Sequence, residues 1–177
     1  MLLEGKNIVL TGANRGIGNA MLHRFAEEGG NVWAFARRPS ESFEQDCRET
    51  AERCGVWVEP VYCELTDTEA LKAAFRQIMA EKKPLHGLVN NAGVSLFCLS
   101  RDTDDAAFRR VMDTDFSGVF YLCREVQPDM IRAGGGRIIN IGSMWGKYGA
   151  SMESVYSAAK GAVRSFTLAL AKELGPS

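Results

Sequence analysis

Five short, mostly apolar segments alternate along the chain with longer segments whose apolar residues recur at helical spacing. The predicted strands are Asn7–Thr11, Asn31–Ala36, Val56–Cys63, Gly87–Asn90 and Arg137–Ile141. Near-continuous apolar runs of this length are typical of strands that are buried on both faces of a parallel sheet. Strands that alternate with helices are joined by right-handed crossovers. The pattern therefore predicts an α/β fold, a doubly wound parallel sheet of Rossmann type, in a single domain over residues 1–177.

Helical period is clearest in four segments. One helix face is marked by Leu71, Ala74, Phe75, Ile78 and Met79, and a second face by Ile17, Ala20, Met21 and Phe25. A long helix is predicted from about Asp104 to Ala133 and a last one from about Met152 to Leu174. The pair Gly175-Pro176 follows as a helix stop. Pro60 lies inside the third predicted strand and leaves its bounds open, because proline donates no ladder hydrogen bond.

Composition excludes several classes of function. The hydrophobic fraction is 46% and the charged fraction 24%, which is ordinary for a soluble globular domain. A net charge of −1 provides no basic field for nucleic acid or an acidic membrane, and no apolar run reaches bilayer length. The five cysteines are odd in number and lack a C-x-x-C pair, which favours reduced thiols in a cytoplasmic protein. Two isolated histidines, His23 and His86, make a metal site improbable.

A glycine-rich turn follows the first strand. Gly12, Gly16 and Gly18 lie between that strand and a helix that starts at about Ile17. Glycines let the backbone approach a pyrophosphate, and the helix N-terminus supplies N–H donors and partial positive charge. The spacing G-x-x-x-G-x-G differs from the commoner G-x-G-x-x-G. We interpret the turn as nucleotide-binding; the alternative is an ordinary tight turn.

The end of the second strand indicates which nucleotide would bind. An acidic residue there would bind the ribose 2′-hydroxyl and repel a 2′-phosphate. The chain has Ala36 instead, followed by Arg37 and Arg38, whose guanidinium groups can fork onto a phosphate. Arg15 in the glycine turn can join them. This favours NADP(H) over NAD(H), the alternative being that Arg37 and Arg38 form only a solvated loop.

Tyr156 and Lys160 are four residues apart and share one helix face. An ammonium group beside a phenol favours the phenolate and makes the hydroxyl a better acid–base catalyst. Ser143 precedes the tyrosine by thirteen residues and could stabilise negative charge on a reacting oxygen. Together with a nucleotide turn, the three residues indicate hydride and proton transfer on a carbonyl. Taken singly, Ser143 could cap a turn, Tyr156 could be a core aromatic and Lys160 a surface lysine.

With the glycine turn, Asn90-Asn91-Ala92-Gly93, Ser143 and Tyr156-x-x-x-Lys160 in this order, the chain resembles the short-chain dehydrogenase/reductase family. More narrowly, it resembles the compact branch that includes 3-oxoacyl-acyl-carrier-protein reductases and hydroxysteroid dehydrogenases. The resemblance implies that Tyr156 is the proton donor and that Ser143 hydrogen-bonds the reacting oxygen. Lys160 would make the phenol more acidic and hold the nicotinamide ribose. The cofactor contacts implied or inferred are Gly12, Asn14, Arg15, Gly16, Ile17, Gly18, Arg37, Arg38, Glu64, Leu65, Asn91, Ala92, Gly93, Tyr156 and Lys160.

The chain departs from this family in two places. Asp115 stands where the family usually has a catalytic asparagine, within an apolar helix stripe, so we expect a partly buried carboxylate that finds a partner or takes up a proton. Lys160 is a candidate partner, directly or through water; the alternative is that Asp115 only trims the helix. Glu64 replaces the usual aspartate near the adenine. Relatives also continue beyond the last helix, so the chain is expected to lack a C-terminal strand–helix–strand portion and to leave apolar surface exposed there.

The sequence also predicts the kind of substrate and the kind of partner. The side chains expected to face a small-molecule carbonyl or alcohol form a largely apolar wall: Ser95, Leu96, Phe97, Met144, Trp145 and Tyr148. For Leu96 and Met144, packing in the core is an equal explanation. Apolar residues around much of the last helix, together with the resemblance, predict a homodimer or homotetramer. Two rival hypotheses stay open: a catalytically impaired NADP(H)-binding paralogue or partner subunit, and an epimerase or dehydratase of the family's extended branch.

Overall fold

A five-stranded parallel sheet forms the centre of the molecule, in a computed structural model that describes residues 1–176. The strands are β1 (Asn7–Thr11), β2 (Asn31–Ala36), β3 (Val58–Tyr62), β4 (Gly87–Asn90) and β5 (Arg137–Asn140). Their order is β3-β2-β1-β4-β5, and every pairing is parallel. The chain leaves β1 for one side of the sheet and returns at β4 on the other. The predicted doubly wound α/β fold is confirmed.

Helices cover both faces of the sheet. They are α1 (Gly16–Glu27), α2 (Glu41–Cys54), α3 (Thr68–Ala80), α4 (Asp105–Met112), α5 (Gly118–Arg132), α6 (Trp145–Tyr148) and α7 (Ser154–Leu174). Alternate residues of β1 enter two separate cores: Val9 packs with side chains of α3, α5 and α7, whereas Ile8 and Leu10 pack with those of α1 and α2. This alternation follows from the two-residue period of a strand. It explains why the central strands are apolar on both faces.

Three predicted strands, β1, β2 and β4, have the predicted bounds. The predicted Val56–Cys63 is shorter in the structure, and Arg137–Ile141 ends one residue earlier, although the Ile141 N–H still donates to the Asn90 carbonyl at 2.9 Å. Pro60 is accommodated because β3 is an edge strand that pairs only with β2 among the described residues. A proline on the free edge removes no ladder hydrogen bond.

The helices differ from prediction at three points. Helix α2 was not identified from the sequence because it is mostly polar and buries little beyond Phe43 and Cys47. The last helix starts at Ser154 rather than Met152, since Met152 has a left-handed backbone with φ of 62°. The long helix predicted from Asp104 to Ala133 is divided into α4 and α5 by a π-helical turn, Asp113–Ser117. Such turns are frequent at functional sites, and this one carries Asp115.

An apolar groove of about 460 Å³ lies beside β5, between α5 and α7. Its walls include Met130, Ile138 and Leu170, and Ile139 of β5 is half exposed. The exposed apolar surface expected near the last helix is therefore present. Within residues 1–176, none of the helices has the length and apolarity that crossing a membrane requires.

Candidate active site

The glycine-rich turn brings the end of β1 against the first turn of α1. Gly12 has φ of 67°, a conformation that favours glycine. A Cβ atom at Gly18 would lie 1.9 Å from the Gly12 carbonyl oxygen, so no larger residue fits without moving the turn. The backbone of the turn is thus closely packed on itself, and the N-terminus of α1 opens into a cleft. This is the geometry that a pyrophosphate group requires.

A cleft of about 700 Å³ runs along the carboxyl ends of the strands. This edge is where doubly wound sheets bind ligands. With the exception of Tyr156 and Lys160, every residue predicted to contact the cofactor lines it: Gly12, Asn14, Arg15, Gly16, Ile17, Gly18, Arg37, Arg38, Glu64, Leu65, Asn91, Ala92 and Gly93. The structure thus brings Gly12 and Gly93, which are 81 positions apart in sequence, to the same cleft. Their contact with a cofactor remains a prediction.

Several residues that line the cleft were not identified as site residues from the sequence. Arg110 and Thr114, one helical turn apart, reach it from α4 and the π turn, and Ser40 and Thr66 line it as well. Cys63 is also part of the lining, but burial raises the pKa of its thiol to about 11, so it is not a reactive nucleophile at neutral pH. The amphipathic period of α4 predicts that Arg110 lies on the polar face of the helix. It does not predict that this face borders the cleft.

Thr11 and Asn91 join the two strands at the centre of the cleft. The Thr11 hydroxyl accepts the backbone N–H groups of Asn91 and Ala92, both at 3.0 Å. In return the Asn91 side-chain amide donates to the Thr11 carbonyl at 3.0 Å and to the Gly12 carbonyl at 3.3 Å. The segment after β4 is therefore held against the glycine turn, and Thr11 has a role that sequence reasoning did not assign.

Ser143 lies in the turn after β5. Its hydroxyl oxygen accepts the Trp145 N–H at 3.2 Å, and its carbonyl accepts the Gly146 N–H at 3.1 Å. A Cβ at Gly146 would lie 2.6 Å from the backbone carbon of Lys160, so α6 and α7 touch backbone to backbone. This close packing fixes the Ser143 turn relative to the helix that carries Tyr156 and Lys160.

Lys160 is almost completely buried, with 5% of its surface exposed, and faces a fully buried Asp115. Its Nζ atom lies 3.2 Å from Asp115 Oδ2 and donates to the Ile141 carbonyl at 3.2 Å. The contact with Oδ2 has the distance of an ion pair but not the angles of a hydrogen bond. The same Nζ lies 5.7 Å from the ring centre of half-buried Tyr156. The expected pairing of Asp115 with Lys160 is confirmed, as a direct contact.

Asp115 also holds the segment after β4. Its Oδ1 atom accepts the Val94 N–H at 2.8 Å, and a Cβ at Gly93 would lie only 2.8 Å from Oδ2. Burial raises the pKa of the Asp115 carboxyl, and the Lys160 ammonium and the Val94 N–H oppose that rise. The carboxylate thus connects three parts of the site: the cleft wall, the π turn and α7.

A chain of amide hydrogen bonds extends behind the site. The Asn90 side chain donates to Asn140 Oδ1 at 2.8 Å, and Asn140 donates to the Thr167 hydroxyl at 2.8 Å. Thr167 in turn donates to the Val163 carbonyl at 2.7 Å. The network links the ends of β4 and β5 to α7, and it stabilises the orientation of the helix that carries Tyr156.

The predicted substrate wall is open to solvent. Phe97, Met144 and Tyr148 are exposed, while Leu96 and Trp145 are half-buried. The two loops that carry much of this wall are tied together, because the Cys98 N–H donates to the Met152 carbonyl at 2.7 Å. The apolar surface is therefore presented by two loops that are hydrogen-bonded to each other.

Comparison with known proteins independently supports the family that the motifs indicate. A family model described as short chain dehydrogenase matches residues 6–177. The 3-oxoacyl-acyl-carrier-protein reductase FabG of Vibrio cholerae is 34% identical over 174 residues, which cover 98% of this chain and 69% of that protein. The FabG of Chlamydia muridarum is 31% identical over 176 residues, 98% of this chain and 70% of that protein.

Among solved structures, a metagenomic short-chain oxidoreductase in complex with NADP superimposes with a TM-score of 0.93 at 30% identity. The match covers 99% of this chain and 79% of that one. The likeness therefore extends over the whole cleft and over the π turn and helix α7, which carry the ion pair.

Proposed function

The chain belongs to the short-chain dehydrogenase family of oxidoreductases, and from this premise we propose that it transfers a hydride between NADP(H) and a carbonyl or alcohol substrate. The observation that carries the proposal is the buried Lys160 ammonium, which lies 5.7 Å from the ring of Tyr156. A buried cation beside a half-buried phenol has a chemical use when a phenolate must form transiently.

The residues of the cleft fit a nicotinamide dinucleotide. The cradle between Gly12 and Gly18 leaves no room for a Cβ atom, which suits close approach of a pyrophosphate. The N-terminus of α1 would hold the pyrophosphate, and Glu64 and Leu65 would border the adenine. When bound, the nicotinamide supplies the hydride.

Three exposed arginines support NADP(H) over NAD(H). Arg15, Arg37 and Arg38 line the cleft, and the position where an acidic residue would select NAD(H) is the buried Ala36. Guanidinium groups bind a 2′-phosphate through paired, charge-assisted hydrogen bonds. A relative solved with NADP is consistent with this preference.

Ser143 and Tyr156 would act on the substrate oxygen. Negative charge that develops there is stabilised by two hydroxyl donors, and Tyr156 releases its proton to that oxygen. Lys160 stabilises the resulting phenolate and, with its remaining N–H, would hold a ribose hydroxyl of the cofactor. Asp115 orients Lys160 and, when ionised, offsets part of its positive charge.

The proposal also covers the substrate class, the assembly and the cellular location. The apolar side chains of Phe97, Met144 and Tyr148 suit a ketone on a hydrophobic or acyl skeleton. The rings of Phe116, Phe120 and Phe166 form an aromatic patch through edge-to-face contacts. A second copy could pack on this patch, in a homodimer or homotetramer. We place the protein in the cytoplasm because its described cysteines are all unpaired.

A second candidate is a catalytically impaired NADP(H)-binding paralogue or partner subunit. The observation that favours it is the carboxylate of Asp115 at 3.2 Å from Lys160, which weakens the positive field at Tyr156. Both candidates require cofactor binding. They differ in turnover.

Cofactor titration followed by a carbonyl screen tests the proposal. NADPH and NADH are titrated first, and NADPH consumption is then followed with a panel of ketones and β-keto thioesters. We expect preferential NADPH binding and steady turnover with at least one compound. Tyr156→Phe should abolish turnover and retain NADPH binding, whereas Tyr121→Phe, a matched control on α5, should keep both. Tight NADPH binding without turnover on any compound would favour the impaired paralogue instead.

A further inference from the structure

The cleft contains a fourth arginine, Arg110, that the proposed function does not use. It reaches the cleft from α4, whereas Arg15, Arg37 and Arg38 belong to the glycine turn and the end of β2. Glu64 is the one acidic side chain in the described lining. Within residues 1–176, no carboxylate oxygen lies within 4.0 Å of any of these four guanidinium groups. Of the four, only Arg110 lies on α4, apart from the three arginines that the proposed function assigns to the 2′-phosphate.

The position of Arg110 follows from how α4 is anchored. The Asp104 side chain caps the helix by accepting the Ala107 N–H at 2.7 Å, and Val111 is fully buried on its inner face. Arg110 precedes Val111 and lies four residues before Thr114, so the two polar residues share the face that borders the cleft. Its neighbour Arg109 is also exposed but does not line the cleft.

The wall that Arg110 joins is the one after β3. A Cβ at Gly118 would lie 3.2 Å from the Cβ of Leu65, which shows that the loop after β3 packs directly on the helix that continues from α4. Glu64, Leu65, Thr66, Arg110 and Thr114 therefore form one continuous side of the cleft. The proposed function assigns this side to the adenine, while the phosphates face the glycine turn and the β2 arginines.

We infer that Arg110 is a cofactor-binding residue whose guanidinium plane stacks on the adenine ring. A guanidinium group is planar, weakly hydrated and suited to stacking on an aromatic face. Flexible and unpaired, it can lie over the ring once the nucleotide is in place. The inference rests on the proposed function, and it adds a contact that acts on the base and is therefore independent of the 2′-phosphate.

Dinucleotide titration with two neighbouring variants tests the inference. NADPH and NADH affinities are measured by fluorescence for the parent protein, for Arg110→Gln and for Arg109→Gln. Arg110→Gln should weaken both dinucleotides by about 3- to 10-fold, and Arg109→Gln should change neither by more than about twofold. Arg110→Tyr, which can stack without a charge, should bind both within about threefold of the parent. Equal melting temperatures without ligand would confirm that all variants are folded.

Each alternative result has a distinct meaning. If Arg110→Gln binds like Arg109→Gln, the inferred contact is wrong while the proposed function stands. A loss confined to NADPH would also overturn it, because the guanidinium group would then act on the 2′-phosphate. If the parent protein binds neither dinucleotide, the proposed function and the inference are both wrong.

Discussion

The Nζ atom of Lys160 lies 3.2 Å from Oδ2 of Asp115, in a part of the molecule that excludes solvent from both side chains. The same ammonium lies 5.7 Å from the ring centre of Tyr156. One cation thus interacts with a carboxylate and with a phenol. Because the interaction of buried charges is weakly screened, the charge of Asp115 and the acidity of Tyr156 should be coupled.

The first prediction concerns the pH dependence of turnover. At pH values where Asp115 is ionised, Asp115→Asn removes a negative charge beside Lys160, so the phenolate of Tyr156 becomes easier to form. We expect the pH–rate profile of the variant to lie about 0.5–1 pH unit below that of the parent. The measurement is kcat/KM for an active carbonyl substrate across the pH range. Superimposable profiles would show that Asp115 has no electrostatic influence on the proton donor.

The second prediction concerns stability. Burial raises the pKa of Asp115 in the folded protein, so the folded state keeps this proton at pH values where an unfolded aspartate, with a pKa of about 3.9, has lost it. The associated stabilisation is complete below that lower value and is lost as pH rises through the folded pKa. The free energy of unfolding of the parent, minus that of Asp115→Asn, should therefore decrease from about pH 4 upward and then become constant.

Urea denaturation at closely spaced pH values measures this difference. The subtraction cancels the other carboxyl groups, which titrate alike in both proteins. A difference that increases with pH would mean that Lys160 outweighs burial and that the pKa of Asp115 is lowered in the folded state.

The third prediction tests the close approach at Gly93. A Cβ there would lie 2.8 Å from Asp115 Oδ2 and 3.4 Å from Lys160 Nζ. Asp115 cannot turn away, because its Oδ1 holds the Val94 N–H. Gly93→Ala should therefore destabilise the fold by about 1–3 kcal/mol. In the control Gly142→Ala the new methyl group meets no atom within 4 Å, and urea denaturation should show a change below about 0.5 kcal/mol. Equal stability of the two variants would contradict the ion-pair geometry.

The fourth prediction concerns cofactor choice. Arg37→Gln combined with Arg38→Gln should weaken NADPH binding by about 10- to 100-fold, since each arginine can form charge-assisted hydrogen bonds with a 2′-phosphate. NADH binding should change by less than about threefold. Arg48→Gln, on the exposed part of α2 outside the cleft, is the matched control. A parallel loss for both dinucleotides would place the arginines on the shared pyrophosphate rather than on the 2′-phosphate.

The fifth prediction concerns assembly. Phe120 is 37% exposed on α5, and its ring contacts that of Phe166 on α7. If a second copy packs on this patch, Phe120→Glu should shift the protein to a smaller species in sedimentation experiments, because a charge would be buried at the interface. Leu2→Glu, at an exposed leucine outside the patch, should leave the assembly unchanged. An unchanged assembly in Phe120→Glu would exclude Phe120 from the interface.

The sequence alone predicted the five strands, with the bounds of three of them, the glycine turn and the residues of the proposed chemistry. Strands β1, β2 and β4 were located correctly because burial on both faces demands a local run of apolar residues. The glycines and the Tyr156–Lys160 spacing are also local, since turn conformation and helix period act over a few residues. Local features with a strong apolar or glycine signal were within reach of prediction, whereas the mostly polar helix α2 was not.

Only the tertiary structure decided how distant segments meet. It divided the predicted long helix with a π turn at Asp115, placed that carboxylate directly against Lys160, and brought Arg110 into the cleft. It also showed that Met152 is left-handed and delays the start of α7. These features depend on packing and electrostatic contacts between residues that are far apart in sequence, and a local pattern of polar and apolar residues contains no information about such partners.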